Sequence, residues 1–394
     1  MIVLILQSIM FYRTLTHILN RFATLYPLIG ITGPRQSGKT TLAKTIFSQK
    51  PYVSFENFDI RAKALADPRS FLEIYKNSGA IFDEIQKAPI LMSYLQEIAD
   101  NTQEKGKYIL TGSENFVLSE SITQSLSGRI GMTTLLPLSM SEIKEERIFT
   151  PLEHIFYGGY PGLYQNNMTT NDFYLSYIQT YIEHDVRQFK NIENLHTFQN
   201  FLKLCAGRIG QLVNLSSLAQ DCGISQPTAR AWLSILESSY IVFFLSPFYK
   251  NFSKRVIKMP KLYFYDTGLA CSLLSLEKTE QIETHYLKGA LYENLIILEL
   301  LKGRLNRGLL PSLYFWRDHT GHEIDCIAEW GGQMHAIEIK MNQTFSPDQL
   351  AGINFIKSIA PEINGYLIYN GKEEGKIQNI TLLSMENLEK IFNG

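Results

Sequence analysis

The chain has 394 residues, 45% of them hydrophobic, and a formal net charge of −1. That length suits two or three domains with substantial cores and excludes global disorder. The near-neutral balance excludes a chain drawn as a whole to nucleic acid or an anionic membrane, so any such contact must be a local patch.

In chain order, the first ten residues, MIVLILQSIM, are apolar but too short to span a bilayer. They lack the basic leader and cleavage site of a signal peptide. They read as a buried segment or, with a functional start at Met10, as sequence upstream of the protein proper. No other stretch has transmembrane length, so a cytoplasmic protein without a membrane partner is expected.

Leu28 to Thr32 reads as a short strand and Lys39 onward as a helix. Between them Gly33, Pro34, Arg35, Gln36, Ser37, Gly38, Lys39 and Thr40 match G-x-x-x-x-G-K-[ST] without a mismatch, and Thr41 follows. Glycines let such a loop turn its N–H groups toward phosphate, and the helix N-terminus adds roughly half a positive charge. Lys39 is expected to reach the β- and γ-phosphates of ATP and Thr40 to hold Mg²⁺.

Ala80 to Asp83 reads as a buried strand ending in two acids, Asp83 for Mg²⁺ and Glu84 to orient or deprotonate the attacking water. Tyr108 to Thr111 is a third strand running into Gly112 and Ser113. Ligands sit at the carboxyl ends of parallel strands, which makes Ser113 the candidate γ-phosphate sensor, with Thr111 as substitute. Ser127-Gly128-Arg129 offers an arginine that a neighbouring subunit of a homo-oligomer would supply in trans; the plainer reading is a surface arginine.

Residues 151–200 look helical, with Tyr174, Tyr177 and Tyr181 at helical spacing, usually a core stripe. Residues 214–236 read as two helices, with Ser216 or Ser217 capping the first, Cys222-Gly223 turning the chain, and Ser225 capping the second ahead of Pro227. Strands at Ile241 to Leu245 and Leu262 to Tyr265 complete the order of a winged helix. Lys250, Lys254, Arg255, Lys258 and Lys261 place five cations and no acid in twelve residues. Such a wing grips phosphates without reading sequence, or is a solvated loop. The four cysteines, Cys205, Cys222, Cys271 and Cys326, form no Cys-x-x-Cys pair and read as reduced core thiols.

Ile324 to Trp330 and Gln333 to Ile339 flank Gly331-Gly332, a two-residue hairpin turn. That register sets Asp325 opposite Glu338 and Glu323 opposite Lys340 on one face, with Ile324, Cys326, Ala328, Ile337 and Ile339 on the other. Facing carboxylates repel by up to ~1 kcal/mol, a cost that a divalent cation removes. Upstream, Tyr286 to Leu301 reads as an apolar helix carrying Glu293, Asn294 and Glu299, with Glu293 a third candidate carboxylate. The plainer reading is an acidic solvent face with a salt bridge.

The phrases GPRQSGKTTLA, FDEIQKAP, ILTGS, LSGRI, LPLS, GGYPG, KLYFYDTGLA, GHEID and AIEIK together resemble bacterial and archaeal AAA-type ATP-binding proteins with a C-terminal domain of unknown function numbered 4143. The resemblance implies an α/β protein: a P-loop AAA-type parallel-sheet domain over 1–150, a helical lid over 151–200, a winged helix over 201–275 and a restriction-endonuclease-like PD-(D/E)xK domain over 276–394. It assigns Asp325, Glu338 and Lys340 to the metal-dependent site of that last fold, with Glu293 as the helix acid and Mg²⁺ or Mn²⁺ as the ion. The expected function is a Mg²⁺-dependent ATPase coupled to a module that binds or cuts DNA. The alternative is a nucleotide-dependent switch that docks a protein partner.

Overall fold

The computed structural model describes residues 11–113, 126–165, 168–182, 195–248 and 259–393. The N-terminal decapeptide, the cations Lys250, Lys254, Arg255 and Lys258, and the Tyr181 side chain lie outside what is described.

The first sheet is parallel, with strands β1 (Leu28–Thr32), β2 (Tyr52–Ser54), β3 (Ala80–Asp83), β4 (Tyr108–Gly112) and β5 (Ile130–Thr134) in the order β2-β3-β4-β1-β5. Helices cover both faces, so β1, β3 and β4 are buried throughout and need no polar alternation. Leu15, Ile18 and Leu19, at and within α1 (Thr16–Leu25), pack with Leu42 and Ala43 of α2 (Lys39–Ile46) against Ile29 and Ile31. On the other face α3 (Phe58–Ala66), α4 (Pro68–Glu73) and α5 (Leu91–Asn101) pack against Leu28, Phe82 and Leu110. The carboxyl ends of β1, β3 and β4 therefore converge at one edge, where Gly33, Asp83 and Ser113 emerge.

Past α6 (Met140–Lys144), the chain forms α7 (Pro151–Tyr157), α8 (Pro161–Gln165) and α9 (Thr170–Tyr177), in which Tyr174 and Tyr177 are core residues. After α10 (Leu195–Ala206) come α11 (Leu215–Cys222) and α12 (Gln226–Ser238), joined through left-handed Gly223. Asn214, not Ser216 or Ser217, caps α11 by accepting the Ser217 N–H at 3.1 Å, whereas Ser225 caps α12 as expected.

Strands β6 (Val242–Pro247) and β7 (Lys261–Phe264) then pair antiparallel, and β6 also pairs in parallel with β8 (Leu313–Arg317). Hence the hairpin is one edge of an eight-stranded mixed sheet, ordered β12-β13-β11-β10-β9-β8-β6-β7. Its other members are β9 (Glu323–Trp330), β10 (Gln333–Lys340), β11 (Asn364–Tyr369), β12 (Gly375–Ile377) and β13 (Ile380–Ser384). Between β7 and β8 lie α13 (Thr267–Leu273), α14 (Thr279–Thr284) and α15 (Lys288–Leu305), the last covering one face of the sheet; α16 (Ala351–Ile359) covers the other. One core continues from Ile155 through Trp232 and Phe243 to Ile337, so the segments that the sequence separates at 200 and 275 share their packing.

The β9–β10 hairpin has the expected register, from Trp330/Gln333 to Cys326/Ile337, with both turn glycines at positive φ. Its strict alternation fails at the far end. Tyr314 pairs with Ile327 but Trp316 with Ile324, so Asp325 and Cys326 together oppose one residue in a β-bulge. Ile324 consequently shares a core with Ile327 and Ala336, while Cys326 and Ala328 pack on the opposite face. Cys205, Cys271 and Cys326 are buried free thiols, and Cys222 is a half-buried one.

Candidate functional site

The loop after β1 is built for close backbone approach. Gly33 has φ +142, and a Cβ there would lie 2.1 Å from the Leu135 carbonyl oxygen. Gln36 and Gly38 also take positive φ, and Gly38 leads directly into α2. Within this cradle the Lys39 ammonium is buried and donates to the Gly33 and Pro34 carbonyl oxygens, at 2.9 and 2.7 Å. Burial brings its pKa down to about 8 against the opposing pull of Glu84 and Asp83. The Ser37 hydroxyl is buried without a partner among the described residues. A buried cation that among the described residues donates to carbonyl oxygens alone, beside an unanswered hydroxyl, fits an anionic ligand.

Asp83 collects three hydroxyls: Thr40 Oγ1 donates to Oδ1 at 2.8 Å, Thr111 Oγ1 donates to the same oxygen, and the Tyr52 hydroxyl donates to Oδ2 at 2.8 Å. Burial, reinforced by the bond to Asp83, raises the Tyr52 phenol to about 12. Thr40 and Asp83, the expected Mg²⁺ ligands, are thus already in contact and could share one ion. Glu84 stands at left-handed φ 54, which turns its side chain toward β4. There the Ser113 hydroxyl donates to Oε2 at 2.8 Å, and the Gln86 amide donates to the same oxygen. Glu84, Lys39, Thr40 and Thr41 line a cavity of about 780 Å³, within the range of small-molecule sites. Phe11, Tyr12, Pro161, Phe173 and Tyr177 supply its apolar side.

Several contributors escape sequence reasoning. Arg13 donates to the Ser37 carbonyl at 2.7 Å, to Leu136 O at 2.6 Å, and to Glu142 at 3.2 Å, so it braces the loop from behind. Tyr240, itself at positive φ, donates its hydroxyl to Thr32 Oγ1 at 2.9 Å. Gln86 had a signal, its place in FDEIQKAP beside Glu84; Arg13 and Tyr240 reach the site only through the fold. The phrases GGYPG and KLYFYDTGLA meet at Asp266, a buried carboxylate that accepts the Gly159 N–H at 2.8 Å, the Leu269 N–H at 2.9 Å and the Tyr174 hydroxyl at 2.7 Å. That cluster is structural, while Pro161 and Gly162 face the cavity beside Lys39 and Thr40.

Arg129 lies at the other pole of the sheet. Its carbonyl accepts the N–H of Leu28, at the start of β1, roughly 15 Å along the strand from the phosphate loop at ~3.3 Å per residue. Its guanidinium is bound to Asp100, with Nη2 to Oδ2 at 3.1 Å. The fold does not bring it to this chain's own site.

At the C-terminal cluster the expected residues gather, with different partners. Lys340 Nζ lies 2.6 Å from Glu338 Oε1 and 3.5 Å from Asp325 Oδ2. Asp325 Oδ2 also accepts the Ile339 N–H at 2.9 Å where the β9–β10 ladder ends. Glu323 does not meet Lys340; it binds Arg317 at 3.3 Å and Lys261 at 2.5 Å. Lys261 is therefore no wing cation: it is 4% exposed and also binds Glu293 at 3.0 Å. Burial and the Asp325 charge raise Glu338 to about 8 despite the Lys340 ion pair. Among the described residues no three His, Cys, Asp or Glu side chains come together as a metal-binding group, and no helix is long and apolar enough to cross a membrane.

Comparison with known proteins finds family matches over three segments of the chain. Residues 26–144 match an AAA domain family, 150–280 a domain of unknown function numbered 8612, and 288–388 the domain of unknown function numbered 4143. An uncharacterized protein of Mycobacterium tuberculosis is 29% identical over 326 residues, 81% of this chain and 71% of its own length. One of Methanocaldococcus jannaschii is 25% identical over 398 residues, 92% of this chain and 86% of its own. Among solved structures, a Walker-type ATPase of Pyrococcus abyssi has a TM-score of 0.46 at 16% identity, over 67% of this chain and 96% of that one. The amino-terminal region is a P-loop ATPase-like domain of the AAA type.

Proposed function

We propose that the chain is a Mg²⁺-dependent ATPase that works as a nucleotide-driven switch. The observation that carries this reading is Lys39, a buried ammonium that among the described residues donates to carbonyl oxygens alone, next to a Thr40–Asp83 contact. A triphosphate would give that ammonium the anionic partner it lacks, and the loop N–H groups and the start of α2 would add to the hold. Thr40 and Asp83 would hold Mg²⁺, which supplies charge neutralisation at the phosphates. Glu84 is the base: it accepts the proton of the attacking water, and Ser113 and Gln86 fix its orientation. Ser113, held on Glu84, is also placed to answer the γ-phosphate. Phosphate release by the full chain with ATP and Mg²⁺ tests the reading: Lys39→Ala should abolish it, and turnover at the wild-type rate in that variant contradicts it.

Switching follows from where the cradle is anchored. Arg13 links Ser37 to Glu142, and the adjoining Leu138 and Met140 bind Lys302 and Glu299 of α15 at 2.8 Å each. The same helix carries Glu293 at the C-terminal cluster. We read the C-terminal module as the output that docks a macromolecular partner, a protein rather than DNA to be cut, because its carboxylates are already paired with Lys261 and Lys340.

A second reading, phosphodiester cleavage, is favoured by the meeting of Asp325, Glu338 and Lys340 and by Glu338 Oε2, which is buried without a partner among the described residues. Plasmid incubated with the protein and Mn²⁺ separates the two. Cleavage lost in the Asp325→Ala, Lys340→Ala double variant supports cutting, and absence of cleavage supports docking. DNA binding that weakens steeply with salt would mark phosphate contacts without cleavage.

A further inference from the structure

Lys261 reaches the C-terminal carboxylates from a segment distant in sequence. Its Nζ lies between Glu293 Oε1 at 3.0 Å and Glu323 Oε1 at 2.5 Å. Tyr263, two residues along the same strand and hence on the same face, donates its hydroxyl to the same Glu293 oxygen. The arrangement is clamped by the next residue of α15. Asn294 accepts the Phe264 N–H at 2.7 Å and donates to the Phe264 carbonyl at 2.9 Å, a two-point bond that holds the helix against β7. Glu293 is thereby held toward β7.

We infer that Lys261 is a resident counter-cation that holds Glu293 and Glu323 in place of a divalent metal, so that the cluster as built does not fit a metal ion. An ion bound to Glu293 would stand beside a buried ammonium, and like charges at that range repel strongly out of water. Displacing the ammonium in place would leave it buried and unpaired, which is costlier still. Lys340 exerts the same competition at Asp325 and Glu338, but it is one-third exposed and free to swing outward; Lys261, 4% exposed and on a strand, is not. A residue of the β6–β7 hairpin thus sets the ligand chemistry of the C-terminal module.

The test is titration of Mn²⁺ alone, without nucleotide, into the full chain, read by calorimetry and by loss of the free-ion electron paramagnetic resonance signal. Lys261→Met should bind Mn²⁺ at least about tenfold more tightly than wild type, the increment expected for removing one nearby like charge, while Lys261→Arg stays near wild type. Adding Asp325→Asn should erase the gain, since Asp325 is the acid whose charge reaches Glu293, Glu338, Lys261 and Lys340 alike. As a guard against misfolding, Lys261→Gln, which keeps a polar amide beside Glu293 and Glu323 and leaves both carboxylates in place, should show the same gain. Unchanged or weaker Mn²⁺ binding by a folded variant overturns the inference, as does a gain that survives Asp325→Asn. Because no nucleotide is present, a failure of ATP binding leaves this result untouched.

Discussion

Two lysines, Lys39 and Lys261, are buried to nearly the same degree, at 5% and 4% exposure, yet they meet opposite surroundings. Lys39 donates to backbone carbonyls, and the nearby acids are engaged with hydroxyl groups, Asp83 with Thr40, Thr111 and Tyr52 and Glu84 with Ser113. Lys261 is pressed directly between two carboxylates. The contrast separates a site that is short of negative charge from one that has neutralised itself. Burial alone does not mark a functional lysine; the partner decides whether an anionic ligand is still wanted.

The comparison can be broken at several points, the largest effects first. Glu84→Gln should lower ATP turnover by about 10²–10⁴-fold, the usual contribution of a general base, with ATP affinity kept, so that rapid filtration finds trapped nucleotide. Equal turnover would remove Glu84 from the chemistry. Arg13→Ala leaves the buried Glu142 without its counter-cation and with only the Thr14 and Ser139 N–H groups upon it, and the loss should be about 3 kcal/mol in urea unfolding, together with weaker ATP binding.

The pH dependence carries a definite sign. Free Lys39 loses its proton near pH 8, below the ordinary lysine value of 10.5, whereas a bound triphosphate would hold that proton. ATP affinity should therefore fall as pH rises above about 8, approaching ~tenfold per unit, and Lys39→Arg should flatten the curve in calorimetry. Glu338 is shifted in the opposite direction. Its folded pKa lies above the ordinary 4.5, so the folded chain holds the proton longer than the unfolded one. Its contribution to stability is full below about pH 4.5 and is lost as pH rises through about 8. Glu338→Gln should remove that part of the decline in chemical denaturation. The smallest effect is Tyr240→Phe, which deletes one hydrogen bond to Thr32 and should cost about 1 kcal/mol of stability.

Much of the candidate nucleotide site is legible in the sequence because it is local. The residues from Gly33 to Thr40 are consecutive, and Asp83, Glu84 and Ser113 each end a strand whose apolar run announces it. The hairpin register was legible for the same reason, since the two turn glycines fix which residues face. What stayed hidden is non-local. Arg13 meets Glu142 across 129 positions, and Tyr240 meets Thr32 across 208. Lys261 looked like part of a solvated cationic run because its neighbours in sequence are cations, while the acids that bury it lie on α15 and β9. The bulge at Asp325 and Cys326 carries no glycine or proline to signal it; it exists because β8 pairs with β9 on a shifted register beyond Tyr314. The residues read as a winged helix form two helices and a hairpin, but nothing local says that β6 has a second partner in β8.

The central claim is tested most directly by titrating ATP with Mg²⁺ into the full chain at pH 7 and repeating the titration with Lys39→Ala. Saturable binding by wild type that weakens at least about 100-fold in the variant, the scale of a lost buried charge-assisted contact, is the predicted result. No heat with wild type, or equal affinity in both proteins, would contradict the account.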